Sequence, residues 1–121
     1  MDETEPHRKK FERELSAGTV SLVLLAVLAQ SSEPMYGYQI AKRLEQTGDG
    51  VLIGKQSALY PVLRNLCAAG LLDSEVEPSV SGPPRRYYRI TALGRTVLRD
   101  WNAAWSATRD FVDSVLKGTS P

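Results

Sequence analysis

The segment spanning residues 54–70 constrains the fold of this chain more than any other, because at about 100° per residue it divides into two faces. Leu59, Val62, Leu63 and Leu66 fall on one side, and Gln56, Ser57, Tyr60 and Arg64 fall on another. Such a helix has a core face and a polar face free for a partner. Ser57 is the expected N-cap, which places Pro61 at the end of the first turn; there it removes about one hydrogen bond and distorts the start without breaking the helix. Gly70 supplies the stop, since glycine takes the left-handed conformation beyond a last turn at little cost. Residues 50–70 hold no carboxylate, although Lys55 and Arg64 lie among them and 24% of the chain is charged. The polar face can therefore meet a polyanion without repulsion. Taken alone, a helix of this kind is more often just a solvated amphipathic helix on a small core, so the segments around it have to decide.

Those segments fit one domain of modest core, as 121 residues allow. Fifteen Lys and Arg against fourteen Asp and Glu leave a net charge of +1, so only the distribution of charge can point to a partner. One cysteine, Cys67, excludes an internal disulfide, and the one histidine, His7, lies in a charged tail; neither a metal cluster nor a cofactor site is expected within one chain. The longest apolar run, residues 22–29, is far short of the roughly twenty residues that span a bilayer, and no signal pattern precedes it. A cytoplasmic protein without membrane contact is expected.

Read in order, residues 1–12 form a mixed-charge arm expected to be flexible, in which Arg8, Lys9 and Lys10 are within reach of phosphates. Residues 14–30 read as a helix that is apolar on nearly all sides through Leu22, Val23, Leu24, Leu25, Val27 and Leu28, and so must be buried on nearly all sides. A domain this small can cover only part of it, which calls for a second subunit. A second helix follows over residues 36–46, with Tyr36, Ile40 and Leu44 at helical spacing and Gly37 permitting close approach to a neighbour. Val51, Leu52 and Ile53 suit a short strand. The order helix, helix, short strand, amphipathic helix is helix-turn-helix connectivity. Residues 71–77 and 86–90 then read as a β-hairpin whose tip, residues 78–84, is broken by Pro78, Pro83 and Pro84. Period two puts Tyr88 and Ile90 towards the core and Tyr87 and Arg89 away from it. The hairpin carries Arg85, Arg86 and Arg89, and residues 82–99 hold no carboxylate, a basic cluster that whole-chain charge conceals. Thr91 suits the N-cap of a last helix that reaches Lys117 before Gly118.

The runs Ala58-Leu59-Tyr60-Pro61-Val62-Leu63-Arg64-Asn65-Leu66 and Gly70-Leu71, followed by Arg85-Arg86-Tyr87-Tyr88-Arg89-Ile90-Thr91-Ala92-Leu93-Gly94, resemble the PadR family of bacterial transcriptional regulators. Met35-Tyr36-Gly37-Tyr38-Gln39-Ile40 fits the same pattern. The resemblance implies a mainly α fold with a small β-hairpin: a winged helix-turn-helix over residues 13–91, a dimerisation helix over residues 92–118 and a short tail, residues 119–121. It implies a homodimer that binds a near-palindromic operator in double-stranded DNA as a repressor and is released by a small-molecule effector. Lys55, Gln56 and Ser57 are expected at base edges, Tyr60 and Arg64 at phosphates, and Arg85, Arg86, Tyr87 and Arg89 in the wing. The two prolines at the tip make it stiffer than a glycine-rich wing.

Along the last helix Trp101, Trp105, Thr108, Val112 and Val115 recur at intervals of three and four, the seam of a helix that packs on another, and Phe111 widens the stripe. By resemblance Trp105 matches a tryptophan near the twofold axis of the compact PadR subgroup, where paired indoles sandwich a planar aromatic ligand. The alternative is that it merely fills the dimer core. Two other function classes fit the sequence less well. A winged helix that binds a protein partner without DNA would carry an apolar or acidic face where Gln56, Ser57, Tyr60 and Arg64 stand. An enzyme would bring acid, base and nucleophile together, whereas here the acidic residues are scattered. A lone Cys67 on a helix is usually an inert small hydrophobe rather than a redox sensor.

Overall fold

The structure, a computed structural model, describes residues 2–48, 58–79 and 81–119. Helix α1 spans Glu5–Gln30 and begins well before the expected start. Pro6 stands in its first turn, where a missing N–H costs nothing, and four pairs of opposite charge line the next turns: Arg8–Glu5, Arg8–Glu12, Lys9–Glu5 and Lys10–Glu14. The stretch expected to be a flexible arm is thus helical from Glu5. Its spacing of acid and base is what sustains the helix where no apolar residue does.

Strand β1 (Met35–Tyr36) and helix α2 (Gly37–Gly48) follow. Tyr36, expected to open this helix, belongs instead to β1, where it pairs with Tyr87. Helix α3 (Leu59–Ala68) has Ala58 as its N-cap rather than Ser57. Pro61 is therefore its third residue, in a turn whose N–H groups have no acceptor within the helix, and it removes no bond from the ladder. Val51, Leu52 and Ile53, expected as a strand, lie outside the described residues.

Strands β2 (Leu72–Glu77) and β3 (Arg85–Ile90) form the hairpin, and with β1 they make an antiparallel sheet of order β1-β3-β2. Register runs from Leu72 opposite Ile90 to Glu77 opposite Arg85. Helix α4 (Ala92–Lys117) closes the chain. The architecture is a mainly helical winged helix with one long C-terminal helix.

The core gathers Leu24, Leu25, Val27 and Leu28 of α1, Ile40, Ala41 and Leu44 of α2, Leu59, Leu63 and Leu66 of α3, and Leu72 and Tyr88 of the sheet. Each fully buried aliphatic side chain here contributes about 1.5–3 kcal/mol. One joint fixes the wing to this core. Gly70, at φ 78°, ends α3 with its N–H on the Cys67 carbonyl and the Leu71 N–H on the Leu66 carbonyl, both 3.0 Å. Thr91 then ties β3 to that turn: its hydroxyl donates to the Gly70 carbonyl at 2.8 Å and accepts from the Gly94 N–H at 2.9 Å. Gly94 lies directly on the Leu71 carbonyl oxygen, with which any Cβ at that position would collide.

Candidate nucleic-acid interface and dimer face

The polar side of α3 follows from its burial pattern: Leu59, Leu63 and Leu66 go in, Val62 is half-buried, and Arg64 and Asn65 point out. Tyr60 is half-buried, and its ring sits on the backbone of Gly37, where an added Cβ would lie 2.6 Å from it. That contact sets the approach of α2 to α3. Lys55, Gln56 and Ser57 fall outside the described residues.

Period two along β3 separates the wing arginines. Arg86 lies on the face of Tyr88 and donates to the Ser74 hydroxyl at 3.0 Å. The same neighbourhood holds Cys67 of α3, whose thiol is pushed up by burial while Ser74 and the charge of Arg86 pull it down. Burial likewise raises the Tyr88 phenol, with Arg86 and Arg64 acting in the opposite sense. Arg85, Tyr87 and Arg89 occupy the other face. There the Arg89 guanidinium pairs with the Glu75 carboxylate at 3.3 Å, and Arg85 lies 4.6 Å from the ring centroid of Tyr36, which meets Tyr87 edge to face. Arg85 and Arg86, grouped at one hairpin end from sequence, therefore point to opposite sides. The partners Ser74 and Glu75 follow from the hairpin register, which puts them opposite Tyr88 and Tyr87.

A second surface has the opposite chemistry. Phe111 is 69% exposed, Leu116 57%, Val115 54% and Val112 44%, all on α4, while Phe11 at 60% and Leu15 at 40% extend the patch along α1. Apolar exposure of this extent on two adjacent helices is of the kind that protein interfaces use. Trp101 is half-buried against the core, whereas Trp105, one turn on, remains 37% exposed. Between α1 and α4 lies an open cavity of about 480 Å³, lined by Leu15, Gly18, Leu22, Trp101, Trp105 and Thr108, with Glu14 among its walls. Nothing lies within 4 Å of where a Cβ on Gly18 would sit. Among the described residues no group of histidine, cysteine and acidic side chains could hold a metal ion, and no helix is long and apolar enough to cross a membrane.

Residues 24–100 match the transcriptional regulator PadR-like family. A crystal structure of a PadR family transcriptional regulator from Eggerthella lenta is 37% identical and covers 93% of this chain and 94% of its own, with a TM-score of 0.76. A PadR-like transcription factor from Bacteroides fragilis is 28% identical over 88% of this chain and 98% of its own, TM-score 0.69. A PadR-like transcriptional regulator from Bacillus cereus is 25% identical over 85% and 96%, also at TM-score 0.69.

Proposed function

The chain belongs to the PadR-like family of transcriptional regulators, and from that premise we propose that it is a homodimeric repressor that reads a near-palindromic operator. The observation that carries this reading is the exposure of Arg64 on the outer side of α3 and of Arg86 on the wing strand, in a fold shared with PadR-like regulators. In a helix-turn-helix the N-terminal part of the second helix enters the major groove. Lys55, Gln56 and Ser57, which precede α3 in the chain, are assigned base edges, and Arg64 and Arg86 are assigned phosphates. Tyr60 contributes by holding α3 against Gly37. Arg85, Tyr87 and Arg89 face away from Arg86, and Arg89 is already neutralised by Glu75.

The apolar stripe of α4 and the N-terminal half of α1 supports a twofold dimer that would space two copies of α3 about one turn of DNA apart. The cavity beside Trp105 supports a planar aromatic effector, since indole faces offer apolar area and stacking. Binding of the purified protein to the DNA upstream of its own gene, titrated with salt, tests the first part. Gln56→Ala should relax sequence preference, whereas Arg64→Ala should weaken all duplexes alike and flatten the salt slope by about one phosphate's worth. Normal operator binding by both variants would contradict the assignment. For the effector, planar aromatic cations should quench tryptophan fluorescence in the parent and not in Trp105→Ala; quenching that survives the substitution removes the pocket and leaves the dimer standing.

A further inference from the structure

The pleat gives the two faces of the wing hairpin opposite charge. Ser74, Val76, Arg86 and Tyr88 share one face, and within the two strands the Arg86 guanidinium is its one charge. The other face sets Asp73 opposite Arg89, Glu75 opposite Tyr87 and Glu77 opposite Arg85, three carboxylates against two guanidiniums. Glu33, just ahead of β1, adds a fourth carboxylate across a groove of about 220 Å³ that Pro34, Glu75, Glu77, Tyr87 and Arg89 complete. All four acidic residues are exposed. The Arg89–Glu75 pair at 3.3 Å neutralises one of them, whereas Glu33, Asp73 and Glu77 have no ion-pair partner among the described residues. Arg85 lies on the Tyr36 ring instead of on Glu77. The acid of this face therefore comes from β2 and the turn before β1, and it outweighs the base that β3 brings.

We propose that Glu33, Asp73, Glu75 and Glu77 act as an anionic guard on the outer side of the wing, which denies a duplex a second way of docking and so raises the preference for operator over other DNA. The inference rests on the DNA-binding reading and deepens it, since these carboxylates touch no DNA in the specific complex and act on the poses that compete with it. Non-specific binding is phosphate attraction and takes any basic surface offered. Without the carboxylates, Arg85 and Arg89 on one face of β3 would offer such a surface. With them, a run of phosphates laid on this face meets more negative charge than positive, and like charges brought together penalise the wrong pose. Screening keeps the penalty local. At physiological salt the field of an exposed charge decays over about 8 Å, so the guard acts on a duplex laid against this face and hardly on one held by α3 and Arg86. Specificity is a difference of affinities, and weakening the wrong poses raises it as a further base contact would.

The test uses the full chain with two duplexes of equal length, one from the DNA upstream of its own gene and one scrambled, titrated over salt. Glu75→Gln with Glu77→Gln keeps the shape of two exposed side chains, removes their charge and frees Arg89. Affinity for the scrambled duplex should rise roughly fivefold near physiological salt, and its logarithmic salt slope should steepen by about 0.9, one phosphate's worth. Affinity for the operator should change by less than about twofold, so the ratio between the two falls, while melting temperature holds. Adding Arg89→Gln to that variant should return the scrambled duplex to the parent's affinity and slope. An unchanged affinity for scrambled DNA, or an equal gain on both duplexes as a bare change of net charge would give, overturns the guard alone while the parent still prefers its operator. A loss of operator affinity also overturns it, because the carboxylates would then serve the specific complex. A parent with no preference between the duplexes overturns the guard together with the DNA reading, so the two failures are distinguishable.

Discussion

The winged part of the molecule and its two long helices are built to different standards of completion. Around α3, the Thr91 hydroxyl, the Gly70 turn and the Gly94 backbone interlock without spare room, and the buried apolar residues come from every neighbouring element. Along the first half of α1 and the second half of α4, Phe11, Leu15, Phe111, Val112, Val115 and Leu116 stand in solvent. The helices themselves do not lack support, since charge pairs and a good cap hold them. What they lack is a surface to pack on. The difference separates a fold that satisfies itself from an uncovered apolar face, to which the proposed dimer assigns a second copy, and each can be attacked without the other.

The largest effect is expected at the interlock. Gly94→Val should destabilise the protein by about 3 kcal/mol or more, since the added side chain meets the Leu71 carbonyl and the Ile90 side chain. Chemical denaturation would measure it, and a loss under about 1 kcal/mol would show that α4 shifts freely over β2. Next comes the open face. Val112→Asp with Val115→Asp should raise the dimer dissociation constant about 100-fold or more while leaving near-native helix content, because each buried aliphatic side chain is worth about 1.5–3 kcal/mol. Sedimentation and circular dichroism together decide it; loss of fold would mean that the winged part depends on the helices after all.

A smaller contrast lies within the wing. Arg86→Gln should weaken operator binding by roughly tenfold near physiological salt, whereas Arg89→Gln, which removes a guanidinium already paired with Glu75, should cost far less. Equal losses would mean that Glu75 releases Arg89 on binding. The smallest effect is the most diagnostic of the cavity. Gly18→Ala should stabilise the dimer by up to about 1 kcal/mol through helix propensity, as nothing lies within 4 Å of the new methyl. Destabilisation there would mean that the partner's atoms fill the space beside Trp105.

The two regions also differ in how far the sequence reveals them. The core face of α3, the Gly70 stop, the Thr91 cap and the inward Tyr88 follow from periodicity and turn chemistry, and the structure keeps all four. Strand β1 did not follow, because two residues carry no period and Met35-Tyr36 reads equally as the start of α2. The early start of α1 is hidden in the sequence for a different reason. Its support is charge spaced at three and four residues, and a search for apolar periodicity passes over it. That Arg85 and Arg86 diverge was implicit in the pleat, but their partners Tyr36 and Ser74 depend on register. The unequal burial of Trp101 and Trp105 depends on how α1 crosses α4, which no local pattern encodes.

The most direct test of the central claim is the mass of the complex formed with DNA. Sedimentation of the purified chain with a labelled duplex from upstream of its own gene, at micromolar concentration, reads dimer and binding at once. Two chains per duplex, with a scrambled duplex left free at moderate salt, is the expected result. One chain per duplex, or no preference between the two duplexes at any salt, would contradict a dimer that presents α3 and the wing to an operator.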